Sequence, residues 1–249
     1  GFKVKSQVGN EAELSADGKT TLLRLIKPSN PMNQHRTSGL YHFAILLPER
    51  SDLAAFIKHL STKDVRLGAS DHAVSEALYL DDPDGNGIEV YRDRDSEEWV
   101  WNNDEVHMVT EPLNIEEILK TDTGEPFNGL PEDTVMGHLH LHVSDIEEAV
   151  HFYTEGLGLD MILRFGPQAA FLGFDKYHHH IAVNVWNGVG APRPDKNNTG
   201  LNYYVMKYHT EEAVEKTVEN LRELGYEVEE TPEGYFSADP SGNKVLISE

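Results

Sequence analysis

The chain has 249 residues, which is enough for one large domain or two of medium size. Its 43 acidic and 21 basic residues give a formal net charge of -22, which repels nucleic acid and anionic membranes. Cysteine is absent, so disulfides and thiolate metal sites are excluded, and no apolar run is long enough to span a bilayer. We therefore expect a cytoplasmic protein without a nucleic-acid or membrane partner. The sequence leaves open whether it is a monomer or a homo-oligomer.

A strand, a helix and three further strands recur along the chain at a period of roughly 50–60 residues. This self-similarity indicates four βαβββ modules. The first is truncated, because it shows only three strands, and we expect its entry strand and helix to precede Gly1. The predicted bounds are residues 1–36 for the partial first module, 37–100 for the second, 101–134 for a linker with a short helix, 135–198 for the third and 199–249 for the fourth.

Apolar residues spaced three and four apart predict a helix in each complete module. In the second module this spacing covers residues 52–60, with Ser51 or Asp52 as the N-cap. In the third module it covers residues 146–153. Each helix follows an entry strand, as the repeat requires.

The second module closes in a hairpin over residues 71–91. Its turn, D-P-D-G-N-G at residues 82–87, combines proline and glycine between two β-forming segments, which is typical of a tight chain reversal. Glu89 lies in the second strand of this hairpin, between Ile88 and Val90, and alternation points it away from the face of both neighbours. A buried carboxylate needs a partner, and a metal ion is well suited to be one.

The entry strand of the third module, M-G-H-L-H-L-H at residues 136–142, carries a histidine at every second position. His138, His140 and His142 therefore share one face of the strand, and periodicity alone allows any of them to be functional. The fourth module ends in D-P-S-G-N at residues 239–243, which repeats the turn of the second module.

Superposition of the modules compares side chains at equivalent strand positions. In the entry strands of the second, third and fourth modules, the equivalent residues are His42, His138 and Tyr203. In the exit strands of the second and fourth modules they are Glu89 and Leu246, and the nearest polar candidate in the third module is Asn184. The register selects His138 from the three histidines of its strand. The resulting set is His42, Glu89 and His138, and two imidazoles with one carboxylate form the facial triad of non-haem Fe(II) oxygenases, which leaves open positions on the metal.

These three side chains can meet only if the modules that carry them close on one another. The preferred arrangement pairs the second module with the third, and leaves the first and fourth without a metal. The alternative pairs the first module with the second. In that case the third ligand would come from the entry strand that we expect to precede Gly1.

The hairpin of the second module also resembles a known signature. His72 is followed by five residues, Leu78-Tyr79, two residues, Asp82-Pro83, one residue, Gly85, three residues and Glu89. This spacing is similar to that of the extradiol ring-cleaving dioxygenases, which belong with the glyoxalases to the vicinal oxygen chelate superfamily. The resemblance implies an α+β fold in which the four modules form two open barrels. It also implies that Glu89 is a ligand of Fe(II), with Mn(II) as an alternative ion, and that His72 and Tyr79 hydrogen-bond the substrate.

Three histidines at residues 178–180 precede the apolar triplet of residues 181–183. In the family that the signature resembles, an acid–base histidine stands at the start of this strand, followed by one residue and an apolar triplet. His179 matches that spacing, while His180 replaces the aspartate of the family, so the choice among the three histidines stays open. Histidine suits the role because its unperturbed pKa is about 6.5 and it can take and return a proton near neutral pH.

The resemblance implies a ring-cleaving oxidoreductase of aromatic hydrocarbon catabolism, which adds both atoms of O2 to a catechol or hydroquinone. A glyoxalase-like lyase or isomerase shares the fold but would use two glutamates with Ni, Zn or Mg, whereas the exit strands offer only Glu89. A Mn-dependent thiol transferase would use the same ligand set in short chains that dimerise. A non-catalytic small-molecule binding protein is the remaining alternative, and in such a protein the three side chains would not converge.

Overall fold

The computed structural model describes residues 1–249, and the chain divides into two compact units. The first comprises Gly1–Pro31, His42–Asn102 and Val106–His138, and the second comprises Met32–Tyr41, Asn103–Glu105 and Leu139–Glu249. No helix in either unit has both the length and the apolar character that a membrane span requires.

Three antiparallel strands begin the first unit. They are β1 (Lys3–Val8), β2 (Glu11–Ser15) and β3 (Leu23–Ile26), in the order β1-β2-β3. Asp17 organises the turn before β3, because its carboxylate accepts hydrogen bonds of 2.7 Å from the backbone N–H groups of Lys19 and Thr20. These are the three strands predicted for the truncated first module.

The second module has the predicted order of a strand, a helix and three strands. It consists of β4 (Gly39–Leu46), α1 (Arg50–Ser61), β5 (Gly68–Asp71), β6 (Ser75–Asp81) and β7 (Gly87–Asp93). The entry strand β4 runs parallel to the exit strand β7, and β6 and β5 continue antiparallel, which gives the order β4-β7-β6-β5.

Helix α1 buries the apolar face that the spacing predicted, and it packs against β7. It begins at Arg50 with Glu49 as the N-cap, so the prediction of Ser51 or Asp52 as the cap is wrong. Asp52 lies in the first turn instead, where its carboxylate accepts a hydrogen bond of 3.0 Å from the Glu49 N–H. A side chain three residues after the cap can satisfy the cap's backbone, which is why an acidic residue just inside a helix resembles a cap in the sequence.

Alternation along β7 places Glu89 and Tyr91 on one face of the sheet. Tyr79 of β6 lies directly opposite Glu89, and Ala77 lies opposite Tyr91. Ala77 and Tyr91 are fully buried and pack with Ala44 of β4. The face that carries Glu89 is therefore an interior face.

The predicted linker has secondary structure of its own. It contains β8 (Trp101–Asn102), β9 (Glu105–Val106) and α2 (Ile115–Leu119), which is the predicted short helix. Beyond β9, the Val109 N–H donates to the His72 carbonyl at 3.3 Å. Asp71 and Glu111 also exchange backbone hydrogen bonds of 2.9 and 3.0 Å, so the linker holds the turn at His72 in place.

The two remaining modules repeat the arrangement of the second. The third consists of β10 (Val135–His142), α3 (Ile146–His151), β11 (Asp160–Phe165), β12 (Ala169–Gly173) and β13 (Ile181–Asn184). The fourth consists of β14 (Tyr204–Lys207), α4 (Glu211–Glu223), β15 (Glu229–Thr231), β16 (Gly234–Ala238) and β17 (Lys244–Ser248). In both, the entry strand is parallel to the exit strand. Strand β10 begins in the first unit, which includes its residues 135–138.

The two D-P-x-G-N turns have the same hydrogen bonds. The carboxylate of Asp82 accepts from the Asn86 N–H at 2.8 Å, and that of Asp239 accepts from the Asn243 N–H at 2.9 Å. Each asparagine Nδ2 also donates to the other carboxylate oxygen, at 2.8 Å in both turns. The turn therefore stabilises itself locally, and the same five-residue pattern gives the same structure in two modules.

The strand register shows which residues are equivalent to Glu89. Glu89 lies opposite Ala44, which is two residues after His42 in the entry strand. In the fourth module the corresponding entry-strand residue is Val205, which lies opposite Leu246. Leu246 is therefore the equivalent of Glu89, as predicted.

The third module differs from its prediction at this position. Two residues after His138 comes His140, which lies opposite Ala182, so the equivalent of Glu89 is Ala182 and not Asn184. Asn184 lies two residues further along the ladder, opposite His142, and its Oδ1 is 2.7 Å from His142 Nδ1. Register depends on the pairing of two strands, so a single strand's sequence could not fix it.

Candidate metal centre

Three strands of the first unit each contribute one polar side chain to a common point. His42 comes from β4, Glu89 from β7 and His138 from the beginning of β10. His42 lies opposite Gly87, so no side chain at that position competes with its ring for space. The predicted convergence of residues 42, 89 and 138 is therefore a feature of the structure.

The donor atoms of these residues lie close together and away from solvent. Glu89 Oε2 is 3.0 Å from His42 Nε2 and 3.2 Å from His138 Nε2. One donor atom from each of the three residues lies within 4.8 Å of the other two. His42, Glu89 and His138 are only 6%, 3% and 3% exposed. Such a group could hold a metal ion, whereas His140 and His142 lie outside it.

The electrostatics of the group favour an ionised glutamate. Burial opposes ionisation of Glu89, but the charge and hydrogen bond of His138, followed by those of His42, outweigh it and hold the pKa of Glu89 well below its usual value. The site thus presents one carboxylate oxygen and two imidazole nitrogens. This donor set suits a divalent transition metal and fits the ion that the signature implies.

Tyr91 and Gly137 form the packing around His138. The fully buried Tyr91 ring lies 4.8 Å from the His138 ring, measured between centroids. A Cβ atom at residue 137 would lie 1.9 Å from the Tyr91 hydroxyl oxygen and 2.6 Å from ring carbon Cζ. Only glycine fits beside this ring, so the residue before His138 has a steric reason to be glycine.

Replacing Gly137 by alanine is expected to destabilise the protein by about 1–3 kcal/mol, which is typical of overpacking a filled core. Thermal unfolding followed by circular dichroism measures the effect. The matched control adds Gly137→Ala to a Tyr91→Leu background, where the ring is gone and the alanine should cost much less. An equal cost in both backgrounds would mean that the contact with Tyr91 is not the cause.

Next to the cluster, His72 and Tyr79 form a hydrogen-bonded pair. His72 Nδ1 lies 2.7 Å from the Val109 carbonyl oxygen, which can only accept, so Nδ1 carries the hydrogen. In the neutral ring, Nε2 then accepts from the Tyr79 hydroxyl at 2.7 Å. The Tyr79 ring lies 5.7 Å from the His42 ring, so this oriented hydroxyl belongs to the surroundings of the cluster.

The contribution of Val109 was missed from the sequence. It lies in the predicted linker, yet its carbonyl fixes the hydrogen position on His72. The adjacent β-branched pair Val109-Thr110 was the available signal, because such residues favour extended structure that can pair with a strand.

The three histidines of residues 178–180 lie in the second unit and have different surroundings. His180 Nδ1 accepts a hydrogen bond of 3.1 Å from the Phe174 N–H, and burial lowers the pKa of His180. His179 lies 5.1 Å from Phe171, between ring centroids, and Phe171 lies 5.9 Å from His140. His179 therefore contacts the face of the third module that carries the β10 histidines. Its role as an acid–base residue stays a prediction.

Repeated βαβββ modules and a buried cluster of two histidines and one glutamate are together characteristic of the class that the signature resembles. Residues 1–90 and 135–247 match the model of the Glyoxalase/Bleomycin resistance protein/Dioxygenase superfamily, and the chain belongs to this superfamily. Its α+β fold is that of the vicinal oxygen chelate proteins. The matched segments leave out residues 91–134, which include the whole of the predicted linker.

Two known proteins show which members of the superfamily this chain resembles. The chain is 42% identical over 246 residues to the catechol-2,3-dioxygenase of Bacillus subtilis (strain 168), which covers 96% of this chain and 86% of that protein. The fold is also similar to the crystal structure of a "putative dioxygenase" from Bacillus subtilis subsp. subtilis str. 168, with a TM-score of 0.65 and 10% identity. That similarity covers 99% of this chain and 77% of the other. The predicted resemblance to dioxygenases of this superfamily is confirmed.

Proposed function

We propose that this protein is an extradiol-type ring-cleaving dioxygenase, which uses O2 to open the ring of a catechol or hydroquinone. In this proposal His42, Glu89 and His138 hold Fe(II). The observation that carries it is the convergence of the three buried donors within 4.8 Å. The 42% identity to a catechol-2,3-dioxygenase supports the choice of reaction. We also propose a cytoplasmic location, because a reducing compartment keeps iron ferrous.

The number of carboxylates favours a dioxygenase over a glyoxalase-like enzyme. The positions equivalent to Glu89 hold Ala182 and Leu246, so neither of the other complete modules offers a second glutamate there. Two histidines with one carboxylate are the set associated with non-haem Fe(II), and Mn(II) is the alternative ion. When bound, the iron supplies open coordination positions and exchanges electrons between the aromatic diol and O2.

In this proposal His72, Tyr79 and His179 bind the substrate and move its protons. The Tyr79 hydroxyl, held by His72 Nε2 at 2.7 Å, directs its oxygen lone pairs towards a substrate hydroxyl. His179 takes the proton of that substrate and returns it to the ring-opened product, so no net proton is consumed. The burial of the three donors keeps bulk water away from the reacting groups. Both oxygen atoms of O2 enter the product, and no external reductant is required.

Loading the protein with Fe(II) without air, adding catechol and then admitting O2 is expected to produce the yellow absorbance of a ring-fission product and equimolar O2 uptake. Hydroquinone is tested in the same way, and Ni(II), Zn(II) and Mg(II) are the matched controls, which should give neither signal. A protein saturated with Fe(II) that consumes no O2 with any diol contradicts the proposal. Turnover of a hemithioacetal with Ni(II) or Zn(II) would assign a glyoxalase-like activity instead.

A further inference from the structure

In the second unit, two neighbouring histidines face each other with their Nδ1 atoms. His178 Nδ1 lies 2.8 Å from His179 Nδ1. The two residues are 0% and 5% exposed. At this distance one nitrogen donates a hydrogen bond and the other accepts it, because two bare lone pairs or two N–H groups would repel. The pair therefore shares one hydrogen between the two rings.

The backbone before the pair is held in an uncommon conformation. Asp175 and Lys176 both have positive φ angles, 51° and 58°, and the Tyr177 N–H donates to the Phe174 carbonyl at 2.9 Å across this turn. A left-handed conformation is unfavourable for a non-glycine residue, and it persists only where surrounding contacts maintain it. The turn places the Tyr177 ring 4.2 Å from the His178 ring, between centroids, so His178 is packed on one side by Tyr177 and bonded to His179.

We propose that His178 is a positioning residue for His179, and that its Nδ1 accepts the hydrogen bond which the Nδ1–H of His179 donates. This inference rests on the proposed acid–base role of His179. With Nδ1 carrying the hydrogen, Nε2 is the basic nitrogen of His179, and the proposed acid–base role uses this nitrogen. A neutral histidine in water prefers the other tautomer, so the partner at 2.8 Å is what holds this one.

The proton transfer then balances within the pair. The substrate O–H bond breaks, a new N–H bond forms at His179 Nε2, and the charge on the resulting imidazolium is stabilised by the bond from its Nδ1–H to His178 Nδ1. His178 remains neutral, because two cationic rings cannot lie this close in a buried site. The proton leaves from Nε2 when the product is protonated. In this assignment His178 orients His179 and exchanges no proton with the substrate.

The ring nitrogens of ¹⁵N-histidine-labelled full-length protein, measured by NMR before iron is added, test the assignment directly. Their chemical shifts are expected to report the Nδ1–H tautomer for His179 and the Nε2–H tautomer for His178. In His178→Leu, His179 should lose this preference and show averaged shifts. In His178→Asn, the amide oxygen can accept the same bond and should restore it. The matched control is His180→Asn, one residue further on, which should leave the tautomer of His179 unchanged, since His180 bonds to the Phe174 N–H.

The kinetic arm uses the same variants loaded with Fe(II). His178→Leu is expected to lower kcat by about 10- to 100-fold and to change KM by less than about 3-fold, because His178 orients an acid–base group and does not bind the substrate. His178→Asn should recover most of the lost kcat. An Nε2–H tautomer of His179 in the parent protein overturns the inference, even if His178→Leu fails to fold. So does an unchanged kcat in a folded His178→Leu protein. A parent protein that has the expected tautomer but cleaves no diol refutes the proposed function and leaves the hydrogen-bond assignment standing.

Discussion

Replacing Glu89 by glutamine or alanine is expected to abolish metal retention while the fold is kept. The Glu89 carboxylate lies 3.0 Å from His42 Nε2 and 3.2 Å from His138 Nε2, and its low pKa provides the one negative charge in the group. Glutamine preserves the shape but removes the charge, and alanine also removes the donor atom. Loss of an outer partner of a metal ligand already costs about 10- to 100-fold in affinity, so loss of a ligand should cost at least about 100-fold.

Metal content after gel filtration in Fe(II) buffer measures this effect, and circular dichroism checks the fold. The matched comparison uses two histidines on the same face of β10. His138→Gln should lose the metal as Glu89→Gln does, whereas His140→Gln should retain it, since His140 lies outside the cluster. Stoichiometric iron in folded Glu89→Ala would show that the three residues are not the metal site. Loss of iron in His140→Gln as well would point to a general disturbance of β10.

The parts of the structure that were predicted from the sequence are those with local causes. The D-P-x-G-N turns are closed by their own side chains, so the sequence alone is enough to predict that Asp82 and Asp239 are equivalent residues of two modules. Once the turns align the modules, the strand positions follow from alternation. Superposition of the entry strands is why His138, and not a neighbouring histidine of β10, was placed with His42, and the structure brings these two rings to 5.6 Å.

The parts that were missed depend on contacts between distant segments. The register of β13 against β10 makes Ala182, and not Asn184, the equivalent of Glu89. This register depends on how two strands pair, so it cannot be predicted from the sequence of one strand. The bond from His72 to Val109 joins the hairpin to a segment 37 residues away. The module boundaries and the catalytic roles of His72, Tyr79 and His179 stay predictions.

The largest expected effect on stability comes from Glu76, which lies on the other face of β6 from Tyr79. Glu76 is 1% exposed, and its two carboxylate oxygens accept hydrogen bonds of 2.7 and 2.8 Å from Arg50 at the start of α1. Arg92, directly opposite on β7, donates to it at 2.8 Å, and Arg94 lies 3.5 Å away. One carboxylate thus links α1 to β6 and β7, the two strands that carry Tyr79 and Glu89 on their other face.

Glu76→Leu is expected to destabilise the protein by roughly 3–5 kcal/mol, because it leaves the guanidinium groups of Arg50 and Arg92 around a buried position without their anion. Arg94 keeps its ion pair with Asp71 at 2.6 Å. Urea unfolding at neutral pH measures the loss. Glu132→Gln is the matched control: its carboxylate pairs with Lys3 at 3.1 Å but is 75% exposed, so the change should stay within about 1 kcal/mol. Equal midpoints for Glu76→Leu and the parent would mean that the arginines find other partners at no cost.

Acid titration of the parent and Glu76→Gln tests the same group through its charge. Burial by itself would raise the pKa of Glu76, but the bonds from Arg50 and then Arg92 outweigh burial and hold that pKa below the ordinary value of 4.5. A carboxyl whose pKa is lower in the folded than in the unfolded state stabilises the fold above the unfolded value, and this stabilisation is lost as the pH falls through the folded value. The parent should therefore lose stability more steeply than Glu76→Gln below about pH 4.5, so that the difference between the two narrows in acid. A difference that stays constant from pH 7 to the acid transition would show that the glutamate stabilises the protein by its shape and hydrogen bonds, and not by its charge.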